Sequence, residues 1–312
     1  MKVLIVYHKV DLDGVFSAAV VKMKYESDGN ECILYPWTYG DSMDGIEDKI
    51  PEETDLMVLV DLSFPDNGNG LMSLSKKIPF GVIWIDHHAT AIEQCKDLNI
   101  CGKREIGTAA CELTWKFLFP NRDVPLLIQY LSAYDVWNKD RFEWDDVMAV
   151  QYAMRGRVGL NVRSAQNYLE YYRNETNELQ LSFIDGLIKE GASILGYLSR
   201  KNKSECELYS FEAEFMGFKA ICMNTLDFNS TTFESVWDPN KYDLMLPFAV
   251  KSNGKVRCSL YTTKPEINCG EIAKALGGGG HRQAAGFELD LDSMDKINVN
   301  LSKMGIEIND QL

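Results

Sequence analysis

Val82-Ile83-Trp84-Ile85-Asp86-His87-His88 is an apolar run that stops at an acid and two adjacent imidazoles. Such a run reads as a buried strand whose far end is polar. The same design recurs along the chain. Val3-Leu4-Ile5-Val6 leads to His8, Asp11 and Asp13, and Met57-Val58-Leu59-Val60 leads to Asp61. Leu131-Ser132-Ala133-Tyr134 likewise meets Asp135. Buried strands that end this way deliver their acids and histidines to one edge of a sheet. Several carboxylates on one edge repel each other unless a cation lies among them. Carboxylates beside imidazoles are the ligand mix for Mn²⁺, Fe²⁺ or Zn²⁺.

Outward from these runs, residues 2–7, 32–36, 55–61 and 80–86 read as strands. Residues 15–25 read as a helix with apolar positions three and four apart. Alternation of this kind argues for βαβ units and a parallel sheet. In open α/β sheets the ligand site lies off the carboxyl ends of the strands. His8, Asp11, Asp13, Asp61, Asp86, His87 and His88 all fall there. Residues 107–200 read as mostly helical, and 177–200 as a long amphipathic stretch ending in the polar run Arg200 to Glu205. After it come β-rich segments at about 206–224 and 242–262, a helix at 269–276, a run of glycines and a strand from Ala285. The expected fold is α/β. An N-terminal parallel-sheet domain spans 1–185, a helical linker 186–204, and a smaller α+β domain 205–312, with the active site in the cleft between the domains.

The net charge of −14 argues against a duplex-binding surface, which needs cationic stripes. It leaves room for a small anionic substrate held by a few local groups and metal ions. The eight cysteines are scattered without a C-x-x-C pair, which reads as a reduced, cytoplasmic protein with buried thiols. The opening Met-Lys leads into an apolar run too short for a signal-peptide core. No window approaches a membrane span.

Each candidate residue has a structural alternative. Asp11 or Asp13, before a helix, could be an N-cap, with Gly14 permitting the turn. His87 and His88 could be a hydrogen-bonded pair at a strand end. Asp61 and Asp135 could be turn or cap acids, and Trp137 beside Asp135 reads as a core residue. Gly277 to Gly280, followed by His281 and Arg282, could form an anion-binding nest of backbone N–H groups with charged donors at its exit, or a flexible hinge.

Together these residues resemble the DHH phosphoesterase superfamily over nearly the whole chain. Asp11-x-Asp13-Gly14 is similar to the family's first motif, Asp61 to the second, and Asp135 to the fourth. Asp86-His87-His88 is the motif that names the family. Gly277 to Phe287 resembles the glycine-rich signature of the DHH-associated C-terminal domain. His8 stands one residue closer to Asp11 than in the family's usual spacing. Tyr261 replaces an arginine of that C-terminal domain, and a tyrosine could stack on a base.

The resemblance implies two divalent cations, usually Mn²⁺. One would take His8, Asp11 and Asp61. The other would take Asp13, Asp61, His87 and Asp135. His88 and Asp86 would serve catalysis, with His88 facing the substrate. Gly278, Gly279, Gly280, His281 and Arg282 would bind a phosphate or terminal nucleotide, with Tyr261 beside them. The reaction expected is hydrolysis of phosphodiesters in short single-stranded oligonucleotides or dinucleotides by metal-activated water. A phosphomonoesterase acting on a nucleotide such as a 3′,5′-bisphosphate, and a non-catalytic nucleotide-binding module, are the alternatives. No duplex or membrane partner is expected, and homodimerisation is left open.

Overall fold

The computed structural model describes residues 1–38, 50–64, 68–172 and 175–299. The end of the expected C-terminal domain, 300–312, lies outside the described residues. The chain divides into two compact units, 1–195 and 196–312. The division falls within one long helix, Asn177–Tyr209, which also contains all of the expected linker.

In the first unit the strands are β1 (Lys2–His8), β2 (Glu31–Trp37), β3 (Leu56–Val60), β4 (Val82–Asp86) and β5 (Cys101–Arg104). They form one sheet in the order β2-β1-β3-β4-β5. Every pairing is parallel. The helices are α1 (Leu12–Ser27), α2 (Asn69–Lys77), α3 (Ala89–Gln94), α4 (Ala110–Leu118), α5 (Leu126–Asp135), α6 (Trp144–Val158) and α7 (Val162–Tyr172), with Asn177–Tyr209 as α8.

The apolar runs are continuous because the sheet is covered on both faces. Along β1, Val3, Ile5 and Tyr7 join a core with α1 and with helices from α4 onward. The alternate residues Leu4 and Val6 join a second core with Leu59, Trp84 and Leu71. The winding reverses direction between β1 and β3, which are neighbours in the sheet. That reversal is the switch point at which open α/β sheets bind ligands. His8 closes β1 and Asp61 directly follows β3, so the two flank it.

The strand β5 escaped the sequence reading. Cys101-Gly102-Lys103-Arg104 has no apolar pattern, and a Cβ at Gly102 would collide with the Trp84 backbone. The run into Asp135, grouped above with the strand ends, is the last turn of a helix.

The second unit carries a seven-stranded sheet in the order β10-β11-β9-β8-β7-β6-β12. Its members are β6 (Ser210–Phe215), β7 (Phe218–Asn224), β8 (Leu244–Val250), β9 (Lys255–Tyr261), β10 (Gly279–Gly280), β11 (Ala284–Asp290) and β12 (Ile297–Val299), with α9 (Cys269–Lys274) packed on it. All of its pairings are antiparallel except β7 with β8.

One expectation changes in this unit. The glycine run is not an open nest. Gly277 and Gly278 donate to Lys274 and Ala273 at the end of α9, and Gly279 and Gly280 pair with β11. Helix termination and strand pairing take up N–H groups that a nest would turn outward. Tyr261 packs beside a cluster containing Cys206 and Phe233, and its hydroxyl donates to the Phe228 carbonyl at 2.8 Å. The hydroxyl bond and this packing hold the ring in place.

Six of the eight cysteines are buried and none forms a disulfide among the described residues. Among these residues no helix is long and apolar enough to cross a membrane.

Candidate metal centre

Asp11 does two things at once. It is the N-cap of α1, with Oδ1 accepting from the Gly14 amide at 2.9 Å. Its Oδ2 lies 2.8 Å from His8 Nδ1. Capping and ligation are therefore not alternatives here, because one carboxylate has two oxygens. Gly14 makes the arrangement fit, since a Cβ there would collide with the His8 carbonyl. Although burial raises the Asp11 carboxyl, its bond with His8 and the Gly14 amide hold it below the usual range.

Asp13 sits in the first turn of α1, buried. Its oxygens accept from the Ala110 and Cys111 amides at 2.8 and 2.7 Å. These amides are at the start of α4, 97 and 98 residues away in sequence. A helix N-terminus offers unpaired N–H groups and a favourable dipole, so it stabilises a buried carboxylate. No local sequence signal marks these partners, and the reading above missed them. It also missed Thr38, whose hydroxyl lies 3.2 Å from His8 Nε2.

Asp61 is 2% exposed and adopts a positive φ of 59°. Aspartate tolerates this region better than most residues, and such strain gathers at functional sites. Its Oδ1 lies 3.2 Å from His87 Nε2, and its Oδ2 lies 3.5 Å from His8 Nδ1. One carboxylate thus spans two imidazoles.

His87 Nε2 also lies 3.5 Å from Asp13 Oδ2 and 3.3 Å from Asp135 Oδ2. One imidazole nitrogen carries at most one proton, so it cannot hydrogen-bond three carboxylates. Ligands each about 2.1 Å from a common cation stand about 3–3.5 Å apart. The observed spacings match that case.

Three triads have ligand atoms within 4.8 Å of one another: His8-Asp11-Asp61, Asp13-His87-Asp135 and Asp61-His87-His88. The donor set therefore fits divalent cations. The electrostatics agree. Burial pushes the Asp61 carboxyl well up, and Asp13, Asp11 and Asp135 push it further. Burial, Asp13 and Asp11 do the same to Asp135. Burial lowers His87, against the pull of Asp13.

Asp86 belongs to a different layer of the site. It is fully buried, and its Oδ1 accepts from the His87 and His88 amides at 2.8 and 3.3 Å and lies 2.7 Å from His88 Nδ1. Asp86 thus fixes the His88 ring and the backbone of both histidines. Burial lowers His88, but the hydrogen bond and charge of Asp86 outweigh it and raise the imidazole above its ordinary value.

In the second unit, His281 and Arg282 are exposed. Arg282 Nε donates to the Pro265 carbonyl at 2.8 Å. Trp137, read above as core, is 61% exposed.

Residues 2–134 match the DHH family, N-terminal domain, and residues 240–303 match the DHHA1 domain. Uncharacterized protein R106 of Acanthamoeba polyphaga mimivirus is 24% identical over 311 residues, covering 91% of this chain and 66% of that protein. RecJ from Thermus thermophilus, solved in complex with Mn²⁺, superposes with a TM-score of 0.52 at 14% identity, over 94% of this chain and 50% of RecJ. The pGpG-specific phosphodiesterase PggH of Vibrio cholerae covers 97% of this chain and is itself 97% covered, with a TM-score of 0.47 at 13% identity. The chain thus spans 66% of the viral protein's length and half of RecJ's. With a DHH N-terminal domain on the parallel sheet and a DHHA1 domain on the second, the chain belongs to the DHH superfamily.

Proposed function

We propose that the protein is a metal-dependent phosphoesterase that hydrolyses phosphodiester bonds in short single-stranded oligonucleotides or dinucleotides. One observation carries this reading. Carboxylate oxygens of Asp13, Asp61 and Asp135 converge on His87 Nε2, while the second oxygen of Asp61 turns to His8. His8, Asp11 and Asp61 would hold one divalent cation, and Asp13, Asp61, His87 and Asp135 a second. Two bound cations supply an acidified water and stabilise charge during in-line displacement at phosphorus. Mn²⁺ suits a mixed set of imidazoles and carboxylates, and RecJ, which shares the fold, was solved with it.

The chain's own groups do the rest. Asp86 fixes the His88 ring through Nδ1, and Nε2 is the nitrogen that would meet a phosphoryl or leaving oxygen. Its Asp86 partner favours the protonated ring, so His88 is suited to donate there. Gly278 to Gly280, His281 and Arg282 would contribute substrate contacts from the second unit. The net charge of −14 repels long polyanions from the outer surface, which favours short substrates.

The test is a ladder of single-stranded oligonucleotides, from dimer to about a twentymer, with Mn²⁺, Mg²⁺ or excess chelator. The reading expects nucleoside monophosphates from the shortest substrates, more turnover with Mn²⁺ than with Mg²⁺, and none with chelator. Rates that rise steadily with length overturn the short-substrate part. Release of inorganic phosphate from a 3′,5′-bisphosphate alone makes the protein a phosphomonoesterase.

A further inference from the structure

We propose that Trp137, backed by Trp144 and Lys139, is a stacking platform for a nucleobase of the substrate. This rests on the phosphoester reading and extends it from the phosphate to the base. The starting point is chain position. Asp135 meets His87 in the candidate centre and is the last residue of α5, and Trp137 follows two residues later. Consecutive Cα atoms are about 3.8 Å apart, so the two residues' Cα atoms lie within about 7.6 Å of each other.

An exposed apolar residue alone needs no explanation, but three further features single out this one. First, Trp137 has a φ of 54°. For a bulky side chain that is an outlier worth about 1–3 kcal/mol of strain. The turn is held by Trp137 N donating to Tyr134 O, Asn138 N to Ala133 O and Lys139 N to Trp137 O, at 3.2, 2.9 and 3.0 Å. Glycine would satisfy this turn without strain, yet the chain puts its largest side chain there.

Second, the indole is braced. It stacks on Trp144 with centroids 5.3 Å apart and planes 26° apart, and Trp144 stands parallel to Tyr134 within 1°. One face is therefore covered, yet the residue is 61% exposed, so the opposite face meets solvent. A fixed ring with one open face can take a flat aromatic partner at little further loss of freedom.

Third, Lys139 Nζ lies 5.4 and 5.2 Å from the Trp137 and Trp144 ring centroids. In a chain of net charge −14, this places a cation against the stacked indole pair. An aromatic ring joined to an anion, which is a nucleotide, complements both. The candidate centre would take the phosphate and Trp137 the base.

The experiment is calorimetric titration of the full chain with AMP and with ribose 5-phosphate, both with Mn²⁺, for wild type, Trp137→Ala and Trp137→Phe. Thermal melting and Mn²⁺ content confirm that each variant is folded and loaded. Base stacking is worth about 1–3 kcal/mol, so Trp137→Ala should weaken AMP about 10-fold and leave ribose 5-phosphate unchanged. Trp137→Phe should recover most of the loss. Unchanged AMP affinity in Trp137→Ala overturns the platform and leaves the phosphoester reading intact. Equal weakening of both ligands assigns Trp137 to the phosphate locus and also overturns it. A wild type that binds neither ligand defeats the phosphoester reading, and the platform with it.

Discussion

Asp61 is where the residue-scale account is most exposed to test. It is buried among like charges and is the carboxylate that spans both histidines. Asp61→Asn should abolish activity and remove most bound metal. In chelator the same variant should be at least as stable as wild type, because one mutually repelling acid is gone. His8→Ala touches one triad only and should lose less of both. Metal content and melting temperature for the pair decide the matter, and a fully metallated, active Asp61→Asn contradicts the assignment. Asp86→Asn should behave differently. It should keep metal but lower kcat about 10- to 100-fold, as loss of a partner that orients a site histidine does. A loss of metal instead would make His88 a ligand in place of a proton donor.

The elements explain which parts of the site could be read from sequence. His8, Asp61, Asp86 and His87 were legible because buried strands have a periodicity that ends at the sheet edge. The dual use of Asp11 was half legible, since capping is local and the approach to His8 depends on Gly14. The amides that hold Asp13 were not legible, because they come from the start of α4 and no local pattern encodes so distant a contact. Trp137 was misread because burial is decided by what packs over a residue, not by its type. Glu112 on α4 was missed for the same reason. It is buried, with Arg141 at 2.6 Å and Lys116 at 2.8 Å. Burial raises its carboxyl, but these partners bring it below its ordinary value. A depressed carboxylate contributes stability above its unfolded pKa of about 4.3 and loses it as pH falls through the folded value. Glu112→Gln should therefore cost about 1–3 kcal/mol at pH 7, with the gap from wild type closing as pH drops below about 4. Denaturant melts across pH check this, and a gap that persists in acid contradicts it.

At the scale of the molecule, the two sheets divide the labour proposed. The parallel sheet gathers acids and histidines at its switch point. The second unit offers His281 and Arg282 at the end of a glycine run whose own amides are partly engaged. His281→Ala should then raise KM about 10-fold on a dinucleotide, typical of losing a charge-assisted contact, while metal content stays unchanged. Unaltered KM and kcat would remove this residue from recognition. The central claim is a pair of divalent cations joined by Asp61. Anomalous diffraction at the manganese edge, from crystals grown with Mn²⁺, tests it most directly. The account predicts two peaks on either side of Asp61, one bounded by His8 and Asp11 and the other by Asp13, His87 and Asp135. A single peak, or peaks away from these residues, would contradict it.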